Sequence, residues 1–411
     1  MTKICIVTTR HISYNPRVLK EADALSAAGY EVVVVTVSNS DRQAAFDEEL
    51  MKRRSWRLRT VNFRRERSGE RRYWVYLSLK QRAFLAFSRV SYGGGIAERA
   101  AEKAYDALAA LATAEKADLY IAHHAEALGA AWRAARRTGA RFGFDAEDFH
   151  TGMNEAGTVS AQDKLVEYLE SKYLPHVVYM TAASKGIGEA YRKKYGLRQQ
   201  PVTILNVFPY EELPVGEPGD PVKFYWYSQV IGPNRGIELL LEAASRVRLP
   251  FEIHLRGSMQ SEAYRDRLKE LCGSSGLWDR IVLHEPILAE RLIGEANRYD
   301  VGLALESDIS FNRNICVTNK TFAYLMSRLV LLGTDTEGQK DIFSFFPDAT
   351  RIFRMNDAAG LAAEMEFLIL HKDVLISGKQ AAAKAVRDSF NWELESQKLL
   401  GYIKEALCQP S

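Results

Sequence analysis

Two stretches of the sequence carry residue types suited to chemistry. The first is His123-His124, at the end of the apolar run Leu119–Ala122, followed by Asp145-Ala146-Glu147-Asp148 after the next apolar run. Imidazole changes charge near neutral pH, and two such rings ending one strand favour function over a lone structural histidine. The acidic group has a structural alternative, a helix N-cap that contributes about 1 kcal/mol and no catalysis. The second stretch is Gly232-Pro233-Asn234-Arg235-Gly236. Its glycines permit tight backbone, Arg235 can pair with phosphate, and a helix opening there favours an anion. The fingerprint of a dinucleotide site is missing, so a plain strand–loop–helix turn remains the alternative. No Asp-x-Asp motif ends a strand, and no metal is expected.

These residues need elements to position them. Ile4-Cys5-Ile6-Val7 is short, β-branched and unalternating, as in a strand buried on both faces. Pro16 opens a helix where its missing N–H does no harm. Val18, Leu19, Ala22, Leu25 and Ala28 keep helical spacing, and Gly29 closes it. Glu31–Thr36 is a second buried strand, so the three elements form a βαβ unit and require a parallel sheet. The alternation continues with strands at 117–122, 141–145, 177–182 and 202–205, and helices at 125–138 and 187–194. The Pro/Gly-rich Leu213–Pro221 reads as an interdomain hinge. Beyond it, strands are expected at 223–227, 251–256, 281–283, 301–305 and 329–332. Helices are expected at 236–247, 262–274, 289–299, 320–327 and 392–407. The expected fold class is α/β, with two doubly wound, Rossmann-like parallel-sheet domains facing across a cleft. Their spans are 1–212 and 213–390, with a C-terminal helix in 391–411 that could cross back to the first domain. Ligands of open parallel sheets bind beyond the carboxyl ends of the strands, which places the site in the loops quoted above.

A chain of 411 residues is long for one core, which fits two domains. Four scattered cysteines without a CxxC pair exclude a zinc ribbon and a disulfide framework, and fit a reducing compartment. The first apolar run is too short for a signal peptide, and none is long enough to span a bilayer, so the expected location is cytoplasmic. Net charge is only +3, but 52–89 holds thirteen Lys or Arg against Glu66 and Glu70. Trp56, Phe63, Tyr73, Trp74, Tyr76, Phe84 and Phe87 interleave them. Two readings stand: a solvated loop followed by a core helix, or a surface for anionic lipid or a phosphate-bearing acceptor, which would make the protein peripheral at a membrane. No nucleic-acid motif accompanies the charge, and no nucleic-acid partner is expected.

Several segments resemble the retaining GT-B glycosyltransferases of the large family 4-like group, which use nucleotide-sugar donors. Asn15-Pro16-Arg17-Val18-Leu19-Lys20-Glu21-Ala22 is similar to its Asp-Pro-Arg-Val-Leu-Lys-Glu-Ala opening. Arg235-Gly236-Ile237-Glu238, Asp300-Val301-Gly302-Leu303-Ala304-Leu305 and Asn319-Lys320-Thr321-Phe322 resemble its Arg-Gly-Leu-Glu, Asp-Val-Gly-Leu-Ala-Leu and Asn-Lys-Leu-Phe segments. Ile204-Leu205-Asn206-Val207 looks like its domain link. The resemblance implies that Gly232, Arg235, Glu306, Asn319 and Lys320 hold the donor diphosphate sugar. It implies catalytic roles for His123 and Glu147, and places His11, Asn15, His124 and Asp145 in the loops facing acceptor or donor. It further implies transfer with retention, without a cofactor or a metal, to an acceptor glycan, lipid-linked sugar or small molecule.

Three departures bear on this. The family's pair of glutamates falls on Ile315 and Ala323, which cannot accept a hydrogen bond from a sugar hydroxyl. The glycine that usually ends the following helix is Arg328. A non-catalytic GT-B homologue, binding a nucleotide or glycan or supporting an active partner, is therefore the alternative. An epimerase on the same plan is opposed by the Asn-Lys and Arg-Gly motifs.

Overall fold

A computed structural model describes residues 1–155, 158–273 and 276–408. The chain divides into two compact units, Met1–Leu205 with the segment from Ser396, and Asn206–Glu395. The division falls before the Pro/Gly-rich stretch 213–221, which lies inside the second unit. There the buried carboxylate of Asp300 accepts Gly219 N, Lys223 N and Lys379 Nζ.

The first unit holds strands β1 (Lys3–Val7), β2 (Glu31–Ser38), β3 (Arg57–Asn62), β4 (Leu119–His123), β5 (Arg141–Ala146), β6 (Tyr179–Ala182) and β7 (Val202–Thr203). They form one parallel sheet in the order β3-β2-β1-β4-β5-β6-β7. The runs Ile4–Val7 and Val32–Val35 are buried throughout, as helices on both faces require. Strand order reverses between β1 and β4, the topological switch point where ligands of such sheets bind.

The second unit repeats the plan with β8 (Val222–Ile231), β9 (Phe251–Met259), β10 (Ile281–His284), β11 (Val301–Ala304), β12 (Val330–Thr334) and β13 (Thr350–Phe353). Their order is β10-β9-β8-β11-β12-β13, again parallel, with the switch point between β8 and β11. Phe224, Trp226, Leu240, Leu241, Ile253, Leu255, Leu303 and Leu332 pack its core.

The sequence expectations differ from the structure in four instructive places. β8 does not end at Tyr227 but runs to Ile231, with a register shift against β9 between Tyr227 and Val230. β3 escapes a pattern reading because its residues RLRTVN are charged and half-exposed, which an edge strand tolerates. The helix expected at 125–138 starts as a tight turn, Ala125–Ala127, before Leu128–Thr138, and follows His124 at a left-handed φ of 67°. The helix expected at 262–274 ends at Cys272, and Ser274 lies outside the described residues. No helix among the described residues is long and apolar enough to cross a membrane.

Candidate active site

In the first unit, the carboxyl ends of β1, β4 and β5 converge on helix Pro16–Ala27. Asn15 caps that helix: its Oδ1 accepts Val18 N at 3.1 Å, while its Nδ2 donates to Glu147 Oε1 at 2.9 Å. One turn further in, Arg17 makes a two-pronged pair with Asp145, both bonds 2.7 Å, and donates a third to Ile204 O. Thr181 Oγ1 also donates to Asp145. Glu21, one turn beyond Arg17, accepts His123 Nε2 at 2.7 Å, and Glu147 accepts His123 Nδ1 at 3.1 Å.

His123 is thus wholly buried with a carboxylate at each ring nitrogen. Burial opposes its charge, but Glu21, Asp145 and Glu147 outweigh burial and push the ring up to about 10. It is an imidazolium at neutral pH, with both N–H groups donating. Burial would raise Glu147, yet the hydrogen bond and charge of His123, with Arg17 beyond, hold it well below the usual carboxylate range. His124 behaves in the opposite way. Burial, Arg10 and His150 push it down to about 4 against the pull of Glu147. Its Nε2 lies 3.1 Å from the Asn15 amide, which fits a neutral ring accepting there.

Asp145, Glu147, His123, His124 and Asn15 are therefore one network. His11 is not part of it. Its Nδ1 meets Asp47 at 2.6 Å and its Nε2 accepts Asn39 N, so it ties the loop after β1 to helix Asp41–Met51. Donor atoms of His123, Asp145 and Glu147 lie within 4.8 Å of one another, close enough for a cation. Both oxygens of Asp145 are taken by Arg17, however, and His123 carries a proton on each nitrogen, so the charge of Arg17 and the imidazolium already fills that role. Pattern reading missed Arg17 and Glu21 as members of the site. Their signal was positional: 17, 18, 21, 22 and 25 form the buried stripe of the helix, and two of those five are charged.

In the second unit, β8 leads through Gly232–Gly236 into helix Ile237–Arg246. Gly236 has φ 78°, and a Cβ there would come 2.6 Å from Leu305 Cβ, so the turn requires glycine and packs on the end of β11. Gly232 is less constrained, since a Cβ would meet only Gln260 Oε1, the end of a flexible side chain, at 2.8 Å. Arg235 donates to Ser228 Oγ at 2.8 Å, a residue placed by the unexpected extension of β8.

Beyond β11 the carboxylate of Glu306 is buried and heavily contacted. Lys320 Nζ donates to Oε1 at 2.7 Å, Thr318 Oγ1 to the same atom at 3.0 Å, and Arg313 approaches Oε2 at 3.4 Å. Burial would raise Glu306, but Lys320 and Arg313 hold it below its ordinary value. Asn319 opens helix Asn319–Met326 and its Oδ1 accepts Asn206 Nδ2 at 2.9 Å. Gly232, Arg235, Glu306, Asn319 and Lys320 therefore all lie at the ends of β8 and β11 or on the helices that follow. Thr318 and Arg313 join them without having been foreseen.

Ala323 and Ile315 are both buried among apolar neighbours, so no carboxylate comes from either position. Arg328 keeps the left-handed turn that a glycine usually supplies, with φ 62°. Leu329 N bonds Tyr324 O and Arg328 N bonds Leu325 O, the paired pattern of a Schellman helix end. Its guanidinium, buried, donates to Met326 O and Glu211 O.

The comparisons with known proteins bear on this arrangement. Residues 14–207 match the glycosyl transferase 4-like domain. That match takes in strands β2 to β7 of the first unit. A glycosyltransferase from Rickettsia africae ESF-5 is similar at 15% identity and TM-score 0.68, over 99% of each chain. Anabaena HepE in complex with UDP is similar at 12% identity and TM-score 0.66, over 98% of this chain and 100% of that one. A mutant of Staphylococcus aureus TarM, in complex with Fondaparinux, alpha-GlcNAc-glycerol and UDP, is similar at 10% identity and TM-score 0.66, over 100% of both. No curated protein matches the chain. At these identities the structures establish the GT-B fold, and the two parallel-sheet units are its two Rossmann-like domains.

Proposed function

We propose that this GT-B protein transfers a sugar from a nucleoside-diphosphate sugar to an acceptor, with the donor on its second unit. The observation that carries the reading is the charge at the ends of β8 and β11: Arg313 and Lys320 gather about one carboxylate, Glu306, and Arg235 stands on the turn after β8, bonded to Ser228. A leaving diphosphate needs such fixed cations, and stabilising it as it departs would be the main catalytic contribution. Arg235 and Lys320 are the residues that would neutralise it, Asn319 and Gly232 shape the pocket, and Glu306 aims Lys320. HepE and TarM bind UDP, which supports a nucleotide donor.

In the first unit, Glu147 is the group of the His123 network that retains some exposure, 19% of its side chain. It is the residue that would meet the reacting sugar, with His123 as the positioning residue that fixes it and His124, Asn15, Asp145 and His11 shaping the acceptor side. Transfer with retention, without metal, to a glycan, a lipid-linked sugar or a small molecule completes the proposal. An anionic membrane reached through 52–89 fits the lipid-linked acceptor.

The test is a thermal-shift titration with UDP-, GDP-, ADP- and dTDP-sugars, on the wild type and on Arg235→Ala. Saturable stabilisation by one donor, lost in Arg235→Ala, is the expected result. Donor hydrolysis in the presence of EDTA and NMR of the product anomer then read metal use and stereochemistry. The buried apolar side chains of Ile315 and Ala323 favour one second reading, a non-catalytic homologue. Binding of a donor without hydrolysis or transfer would select it, and no response to any donor would remove the proposal.

A further inference from the structure

The basic stretch 52–89 is two different things in the structure. Its first part is neutralised within the first unit. Arg54 pairs with Asp23, Arg57 with Glu31 and Glu115, and Arg64 with Glu70. Its second part is only partly so: Arg67 pairs with Asp41 and Lys80 with Asp106. Arg65, Arg71, Arg72, Arg82 and Arg89 make no ion pair among the described residues.

These five lie on or flank helix Ser68–Phe87, which is not the core helix of the first of the two readings. It buries only Leu77. On the opposite side, Val75, Tyr76, Leu79 and Phe87 recur at helical spacing, and the last three are each more than half exposed. Val90, just past the helix, is 90% exposed. A helix docked on its own domain would turn these residues inward, so this apolar stripe has no partner within the unit. Beside it, Arg65, Arg71, Arg72 and Val75 line an open hollow of about 550 Å³, with Glu66 the one acidic residue at its rim. Arg65 is braced 5.3 Å over the ring of Trp74.

We propose that helix Ser68–Phe87 lies flat on an anionic lipid bilayer. Val75, Tyr76, Leu79 and Phe87 enter the boundary between head groups and acyl chains, and Arg71, Arg72, Arg82 and Arg89 meet the phosphates. Charge complementarity selects this occupant. A protein groove would take the apolar stripe but leave the unpaired arginines along and within it without anions, whereas a bilayer surface supplies phosphates around an inserted stripe. The hollow lined by Arg65, Arg71 and Arg72 suits one lipid phosphate, gripped by guanidinium groups. The inference deepens the membrane part of the functional reading and rests on it for the choice of lipid as partner. Docking itself needs no turnover, so the two fail separately.

The experiment is co-sedimentation of the full chain with sucrose-loaded vesicles of phosphatidylcholine alone and of phosphatidylcholine mixed with phosphatidylglycerol. Binding is expected to the mixed vesicles only, and to weaken as salt rises. Arg71→Gln and Arg72→Gln should each weaken it roughly fivefold. Tyr76→Ser with Leu79→Ser should remove it at all salt concentrations. Thermal melting and the donor-induced shift, measured on the same variants, should be unchanged; where the Arg71/Arg72 pair melts early, the exposed pair Arg82→Gln and Arg89→Gln serves instead. Equal binding to neutral vesicles, undiminished binding by the arginine variants, or retention on an RNA oligomer without retention on vesicles would each overturn the proposal.

Discussion

The polar clusters of the two units use the same kinds of residue to opposite ends. In the first, Arg17 and the His123 imidazolium face Glu21, Asp145 and Glu147, two cations against three carboxylates, nearly all withdrawn from water. In the second, Arg313 and Lys320 gather about Glu306, two cations against one carboxylate and 40% and 17% exposed, while Arg235 bonds Ser228 on the turn after β8. A buried network whose cations are already held by its own carboxylates cannot take on an anion without losing a bond it already makes. A cationic, partly hydrated one can accept an anion and gain. The first is suited to holding geometry and the second to binding phosphate, although sequence motifs made both look like binding sites.

The comparison predicts its largest effect at Arg17. Arg17→Met leaves Asp145 buried and stripped of two bonds, and should cost about 3–5 kcal/mol in the first unit, read as an early transition in a urea melt. Donor binding by the second unit should survive at temperatures where both units are folded. A melt shifted by less than about 1 kcal/mol would mean that the network is not the structural device described here.

Arg235→Ala should do the reverse. Its guanidinium is held in the unit only by Ser228, so stability should change by about 0.5 kcal/mol or less. Loss of a charged hydrogen bond to phosphate should weaken the donor about 10- to 100-fold, measured by calorimetry. Lys320→Ala should weaken it similarly and also release Glu306 toward its ordinary pKa. Equal stability losses for Arg17→Met and Arg235→Ala would erase the distinction between the clusters.

How much of this could be read from the sequence follows the same division. The parallel sheets were legible because runs such as Ile4–Val7 and Glu31–Thr36 leave no alternative to a strand covered on both sides. In the second cluster Arg235 was legible because it stands beside glycines at a strand end, where backbone geometry and charge point the same way, whereas Asn319 and Lys320 were reached through the family resemblance. The first was half-legible. His123, Glu147 and Asp145 showed themselves at strand ends, but not that His123 would be protonated at both nitrogens, since Glu21 arrives from a helix distant in sequence. Helix Ser68–Phe87 stayed between two readings because its Leu, Phe and Tyr residues suit a core face as well as an exposed one, and only the fold shows that most of them point away from the core.

The adjacent histidines separate the clusters by pH. His123 is raised to about 10, so its contribution to stability is complete below about pH 6.5, its unfolded value, and is lost as pH rises through about 10. His124 is lowered to about 4, so the fold loses stability as pH falls from about 6.5 toward 4 and no further below. Glu306, also depressed, loses its contribution only as pH falls through its folded pKa. Ring ¹⁵N shifts across this range should find His123 doubly protonated and His124 neutral at pH 7. Two rings titrating together near 6.5 would dissolve the network into ordinary surface chemistry.

The smallest effect expected belongs to a third kind of buried charge. Arg328 pairs with no carboxylate among the described residues; carbonyl oxygens of Met326 and Glu211 accept from its terminal nitrogens while its Nε is buried without a partner, and its backbone holds a conformation that costs a non-glycine residue about 1–2 kcal/mol. Arg328→Gly removes that cost and the two bonds together, so the losses and gains nearly offset. Arg328→Ala removes the bonds and keeps the backbone cost. The alanine variant should therefore be less stable than the glycine variant by about 1 kcal/mol, measured as the difference in their urea midpoints. A glycine variant as unstable as alanine would place the whole role of Arg328 in its guanidinium. A glycine variant more stable than wild type would mean that the bonds to Met326 and Glu211 add little, and that the second unit tolerates a strained arginine where the fold needs only the turn.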